Sequence, residues 1–219
     1  MIVVSSHFRE DVEWLRDIPF PTLLIDKIGA EPHTLNVADV IPNLGCEASV
    51  YLHFITVAYD ILPERVAFIH GHNNAWHHYH VAPLATLLSY ADPSVEFVTL
   101  NGFWVEKNNP VKHSRFWHTV EPWIGPPPAE PIFTDAAAQF IVSRKRIHSR
   151  PREFYVSLYN FTMSLDAQTA FEFATFLEDI WHIIFGEPAQ FTKRDFPVGP
   201  GLPPCPLLEQ SLLDYHSHM

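Results

Sequence analysis

The sequence predicts an α/β domain with a mostly parallel central sheet and flanking helices. Three observations predict it. Short apolar runs without alternation, Ile2-Val3-Val4, Thr22-Leu23-Leu24-Ile25 and Val66-Ala67-Phe68-Ile69, have the composition of strands buried on both faces. Stretches with helical spacing separate them, and a strand-helix-strand succession joins parallel neighbours. Each run also stops at polar residues, Ser5-Ser6-His7, Asp26-Lys27 and His70-Gly71-His72, where open α/β sheets present groups to ligands.

Taken in order, Ile2 to Val4 form the first strand, and Ser5, Ser6 and His7 its exit loop. A short helix over 10–17 places Val12, Trp14 and Leu15 on one side, with Glu10 and Asp11 near its positive end. Pro19 and Pro21 end it, and the second strand closes on Asp26. A polar loop leads to Asn43-Leu44-Gly45 and a helix over 47–61, where Val50, Phe54, Val57, Ala58 and Ile61 have the spacing of a buried stripe. The strand at 66–69 is central. A helix over 83–90 and a strand over 95–100 follow. The segment 101–131, rich in Trp and Pro, reads either as a lid or acceptor-side wall or as an aromatic-stapled surface loop. A strand over 138–142 and helices over 152–163 and 167–185 complete one catalytic-type domain, 1–186. An irregular Pro-rich tail, 187–219, packs on it or frays.

A chain of 219 residues can bury roughly 70% of its unfolded surface without staples. Cys46 and Cys205 show no CxxC spacing and read as ordinary thiols of a reducing compartment, so a cytoplasmic setting is expected. The start lacks a basic and apolar leader, and no span of ~20 apolar residues predicts a transmembrane segment. A net charge of -11 with 14 Lys+Arg argues against a nucleic-acid partner, which needs a basic face. Arg144, Lys145, Arg146, Arg150 and Arg152 do form a basic patch, either a receiver of anionic ligands or a solvated helix face.

Five histidines, His70, His72, His77, His78 and His80, crowd past the central strand. HxH spacing puts two imidazoles on one side of an extended segment, a pattern open to three readings: a divalent metal site, a ligand site without metal, or packing. No HExxH, GxSxG, GxGxxG or P-loop accompanies it. On the helix over 170–185, Phe173, Leu177, Ile180, Trp181 and Ile184 make an apolar face and Glu172, Thr175, Asp179 and His182 a wet one. Glu178 sits at their boundary, either as a base tuned by partial burial or as a rim ion pair.

The blocks IVVSSHFREDVEWL, PNLGCEASVYLHFI, YDILPERVAFIHGHNNAWHH, AQFIVSRKRIHSRP and FLEDIWHIIF, in this order, resemble domain-of-unknown-function family 3431 of fungi, algae and large viruses. More distantly they are similar to nucleotide-sugar glycosyltransferases of the GT-A (Rossmann-like) fold. That resemblance implies a nucleotide-sugar donor, a UDP-sugar by expectation, a saccharide acceptor, and a divalent Mn or Mg ion. It implies Ser5 and Asp26 against the nucleotide, Asn43 and Gly45 opening a helix, and His70 and His72 as metal ligands where an Asp-x-Asp motif is expected. No Asp-x-Asp occurs in the chain. Arg144, from the basic patch, would meet the departing diphosphate, and Glu178, or secondly Asp135, would serve as catalytic base. Two further readings fit the same residues: a His-ligated metal-dependent hydrolase, and a non-catalytic carbohydrate-binding domain using the tryptophans of 101–131.

Overall fold

A computed structural model describes residues 1–7, 9–27, 37–73, 83–102, 104–107, 115–135 and 137–191. His77, His78, His80 and Cys205 lie outside the described residues.

Among the described residues, eight strands divide between two sheets. β1 (Ile2–His7), β2 (Thr22–Asp26), β3 (Val37–Val40), β4 (Arg65–His70), β5 (Phe97–Thr99) and β8 (Phe140–Ser143) make a six-stranded sheet in the order β3-β2-β1-β4-β8-β5. β6 (Trp104–Lys107) and β7 (Ile132–Asp135) pair antiparallel in a small second sheet. The helices are α1 (Cys46–Ala58), α2 (Leu84–Tyr90), α3 (Glu121–Ile124), α4 (Arg144–Ile147), α5 (Arg152–Ser164) and α6 (Ala167–Ile184).

The expected mostly parallel sheet is in fact mixed. β3, β2, β1 and β4 are mutually parallel, whereas β8 runs antiparallel to both its neighbours, β4 and β5. An apolar run shows that a strand is buried and carries no mark of its direction. β4 is central, as its unbroken apolar run predicts, with β1 on one side and β8 on the other.

Period-2 alternation assigns each residue of β4 to one of two cores. Val66 and Phe68 join Val4, Phe140 and Val142 in a layer closed by α1, α5 and α6, with Phe68 4.7 Å from the Tyr51 ring. Ala67 and Ile69 join Val3, Val98 and Ile141 on the opposite face, beneath α2 and a 3-10 turn at Glu13–Asp17. Helices on both faces thus explain why these strands show no polar side.

Several boundaries differ from the sequence expectation for identifiable reasons. Ser5, Ser6 and His7 belong to β1 and not to a loop, because pairing to β2 and β4 continues through them. β3 escaped notice because it is a four-residue edge strand, Val-Ala-Asp-Val, whose short apolar pattern is interrupted by Asp39 and whose residues are all exposed. Of the stripe expected over 47–61, Val50 and Phe54 are buried, whereas Val57 and, in the 3-10 turn Tyr59–Ile61 beyond α1, Ile61 are exposed at 65% and 83%. The buried face is wider and includes Ala48, Tyr51, Leu52 and Ile55, because α1 packs on the sheet and on α5 and α6 together. The 101–131 segment contributes β6 and α3, and Trp117 is buried with its Nε1 donating to Gly125 O at 2.9 Å. That tryptophan is therefore no open stacking platform. At the far end Phe191 is buried and Ala189 O accepts from Phe133 N at 3.0 Å, so the chain as far as 191 packs on β7.

Candidate functional site

In the parallel run β3-β2-β1-β4, the chain leaves β1 toward β2 on one side and returns to β4 on the other. Such a reversal opens a crevice at the carboxyl ends of the two diverging strands, the usual ligand position in open α/β sheets. The register sets Ser6 beside His70 and His7 beside Asp26 there. Ser5 lies one step back, paired with Leu24 and Ile69.

Asp26 and Lys27 end β2 almost wholly buried. The Lys27 ammonium donates to Leu44 O at 2.8 Å, to Ser49 Oγ at 3.0 Å and to Cys46 O, tying the strand end to the turn that opens α1. Burial draws its pKa down to about 8 against the opposing pull of Cys46 and Glu47. Asn43 is exposed in that turn, and Gly45 holds a φ of +66° as the residue before the helix. Cys46 follows at φ 46°, and burial pushes its thiol up to about 11, so it is a poor nucleophile at neutral pH.

At the end of β4, His70 N donates to Gln139 Oε1 at 3.0 Å, and Gln139 Nε2 donates to Asn101 Oδ1 at 3.1 Å. The His70 Nδ1 and His72 Nε2 atoms are 3.2 Å apart, and Trp14 Nε1 donates to Gly71 O at 2.7 Å, fixing the intervening turn. Burial lowers the His72 pKa, with Glu10 opposing, which favours the neutral imidazole that a metal needs. Two imidazoles suit a borderline transition ion such as Zn, Fe or Ni best, take Mn less naturally than carboxylates do, and suit Mg, which takes oxygens, least. Among the described residues no group of three or more His, Cys, Asp or Glu is arranged to hold a metal ion.

A small cleft, with room for about one water, adjoins this network through Gln139. Thr99 from β5, Thr134 from β7 and Glu178, Trp181 and His182 from α6 share its wall. Ala137 and Ala138, both at positive φ, lead into it; left-handed conformers of non-glycine residues cost about 1–2 kcal/mol each and concentrate at functional sites.

The structure thus brings Asp26, Gly45, His70, His72 and Glu178 to one end of the sheet. It does not bring Arg144 there. Because β8 is antiparallel to β4, Ser143 pairs with Arg65, and Arg144 begins at the opposite end, roughly 17 Å away along β4. Its guanidinium donates to Leu62 O, while Arg152 reaches Thr56 O and Arg150 reaches Ile184 O. The basic patch neutralises carbonyls at the carboxyl ends of α1 and α6, where cations are favoured. Asp135 closes β7 opposite Trp104, at a strand end and not at the start expected of it; its side chain lies outside those described.

The wet stripe expected on α6 is also corrected. Asp179 and His182 are 1% and 2% exposed, because the β6-β7 sheet and Phe191 cover that face, with the His182 ring 5.7 Å from Phe191. Burial lowers the His182 pKa to about 4. Between that value and the ordinary one near 6.5, the unfolded chain holds the proton and the folded chain does not. Stability contributed by neutral His182 is therefore full above pH 6.5 and lost as pH falls toward 4, by about 3 kcal/mol. Chemical denaturation of wild type and His182→Gln at pH 7 and pH 4.5 checks this. The variant is expected to lose measurably less stability on acidification, and equal losses would assign the acid sensitivity to other groups.

Sequence reasoning missed Glu47 and Tyr51. Glu47 Oε1 and Tyr51 Oη are buried with no hydrogen-bond partner among the described residues, on one face of α1 at i and i+4. Burial raises the pKa of both, and Tyr51 also feels the charges of Glu47 and Glu178. The available signal was weak, since a Glu one residue into a helix looks like a carboxylate favouring the dipole.

No curated protein matches the chain. Among the described residues no helix is long and apolar enough to cross a membrane. A family model does match, over residues 2–109 and again over 99–196, which takes in the switch-point strands, the α1 turn and all of α6. With both halves of the site inside those matches, the chain belongs to the family described as Protein of unknown function (DUF3431).

Proposed function

We propose that this protein is a glycosyltransferase of GT-A type that moves a sugar from a nucleotide-sugar, most simply a UDP-sugar, to a hydroxyl of a saccharide acceptor. The observation that carries this reading is the β1/β4 switch point, with buried Asp26 on one flank and His70 and the Glu178 pocket on the other. Asp26 would hold the ribose or base by accepting hydrogen bonds. Glu178 would take the acceptor proton as that oxygen attacks the anomeric carbon; the new C–O bond forms as the bond to the diphosphate breaks. A divalent ion held by His70 and His72 would offset charge on the departing diphosphate. Lys27 already serves three oxygens of the α1 turn, so its part is to hold the floor of the site.

Thermal melting tests the reading. UDP or a UDP-sugar at 100 times its dissociation constant should stabilise the fold by roughly 2.7 kcal/mol, and more when Mn is present. Asp26→Asn should lose that shift while melting as a folded protein in its absence. Nucleotides of every base leaving the transition unmoved would count decisively against nucleotide-sugar chemistry.

A further inference from the structure

β4 and β8 pair antiparallel from Arg65 opposite Ser143 to Phe68 opposite Phe140, and there the ladder stops. Two steps further, His70 would stand opposite Ala138. His70 N turns toward β8, so the alternation of an antiparallel ladder makes the Ala138 carbonyl its regular acceptor. The backbone has already turned away. Ala137 and Ala138 are at φ 75° and 45°, in the left-handed region, and His70 N donates instead to the side-chain oxygen Oε1 of Gln139 at 3.0 Å.

Gln139 thereby serves the strands on both sides of β8. Its backbone carbonyl accepts from Leu100 N on the β5 side at 2.9 Å, while its side chain reaches across to β4. The end of a glutamine offers either an oxygen or an NH₂ group, and only the oxygen answers an N–H. Asn101 decides which end is offered: its Oδ1 accepts from Gln139 Nε2 at 3.1 Å, which leaves Oε1 for His70. Gln139 is 1% exposed and Asn101 0%, so neither amide exchanges its partner for bulk water.

Two left-handed alanines and a buried amide pair thus replace one ordinary ladder bond. They do so at the step where His70 Nδ1 stands 3.2 Å from His72 Nε2. Backbone strain of this kind gathers where a geometry has to be held. The separation is the relevant geometry, because two imidazole nitrogens on one zinc ion, with bonds of ~2.0–2.1 Å at the tetrahedral angle, stand about 3.3 Å apart.

We propose that Gln139 is a positioning residue: its side chain, oriented by Asn101, stands in for the missing strand acceptor and holds His70 at chelating distance from His72. The inference rests on the reading of these two imidazoles as ligands of a divalent ion, and it adds to that site an amide pair from the start of β8 and the turn after β5. Outer partners that orient metal ligands are worth about 10- to 100-fold in metal affinity.

The test titrates the full chain with Zn(II) in competition with a chromophoric chelator at neutral pH. Wild type is expected to hold an ion that His72→Phe loses. Gln139→Met, of nearly the same length but with no such acceptor, should bind it about tenfold or more weakly, with the far-UV circular dichroism of wild type. In nitrogen-15 spectra the His70 amide should exchange slowly with solvent in wild type and faster in that variant. Asn101→Ala keeps Gln139 and removes only the group that orients it, so its affinity should fall in the same direction by a smaller factor. A strand cap with no part in the site would lower the melting temperature and leave zinc affinity unchanged. That result in Gln139→Met, or in Asn101→Ala where Gln139→Met does not fold, would overturn the proposal while the ion stands. Equal zinc affinity in wild type and His72→Phe would remove the ion itself, and the positioning role with it.

Discussion

Glu178→Gln is expected to lower the rate of the proposed sugar transfer by about 10² to 10⁴, the usual worth of a positioned proton acceptor, while donor affinity and melting temperature stay near wild type. The substitution keeps shape and one hydrogen-bonding oxygen and removes the basicity. Glu178 is half-buried in the pocket wall, next to the polar wall of Trp181 and His182 and close enough to Tyr51 and Cys46 for its charge to be felt at both. Tyr51 feels the charge of Glu47 as well as that of Glu178. Rates for Glu178→Gln indistinguishable from wild type, in an assay limited by transfer, would take the base role away from this helix. Asp179→Asn is not a neutral control, because Asp179 is buried and its change falls on stability.

What the sequence revealed and what it hid follow from which forces leave a local trace. β1, β2 and β4 were legible because a strand covered on both faces must be apolar at every position, and their ends were legible because the apolar run stops where the ligand edge begins. The positions of Asp26 and His70 at that edge came with them. Direction leaves no such trace, so the reversal of β8 was hidden, and with it the fact that Arg144 starts at the far end. Long-range cover leaves none either. Asp179 and His182 read as wet because a wheel describes one helix, whereas the β6-β7 sheet and Phe191 arrive from elsewhere in the chain. The arginines of 144–152 read as a ligand patch or a solvated face, and all four of them donate to backbone carbonyls at least 27 positions away. Tertiary capping of that kind is invisible to spacing.

Gly45→Ala should destabilise the protein by about 2–5 kcal/mol, a large share of the total for a domain of ordinary stability. Two separable costs make up that figure. Gly45 sits at φ +66°, where a Cβ costs roughly 1–2 kcal/mol. The new Cβ would also fall well inside the radius of Thr162 Cγ2 on α5, and overpacking of a closed contact costs about 1–3 kcal/mol. Thr162 is fully buried, its hydroxyl donating to Leu158 O at 2.8 Å, so its rotamer is not free to swing aside. Thr162→Ser removes the offending methyl and keeps that hydrogen bond. A double-mutant cycle should therefore show Gly45→Ala costing less in the Thr162→Ser background, with the backbone part remaining. Equal costs in both backgrounds would mean that α5 yields and that the close approach of the two helices is not what demands glycine. The same turn carries Leu44 O and Cys46 O, which Lys27 needs, so the variant should also weaken the UDP-dependent melting shift, joining the packing of α1 on α5 to the floor of the crevice.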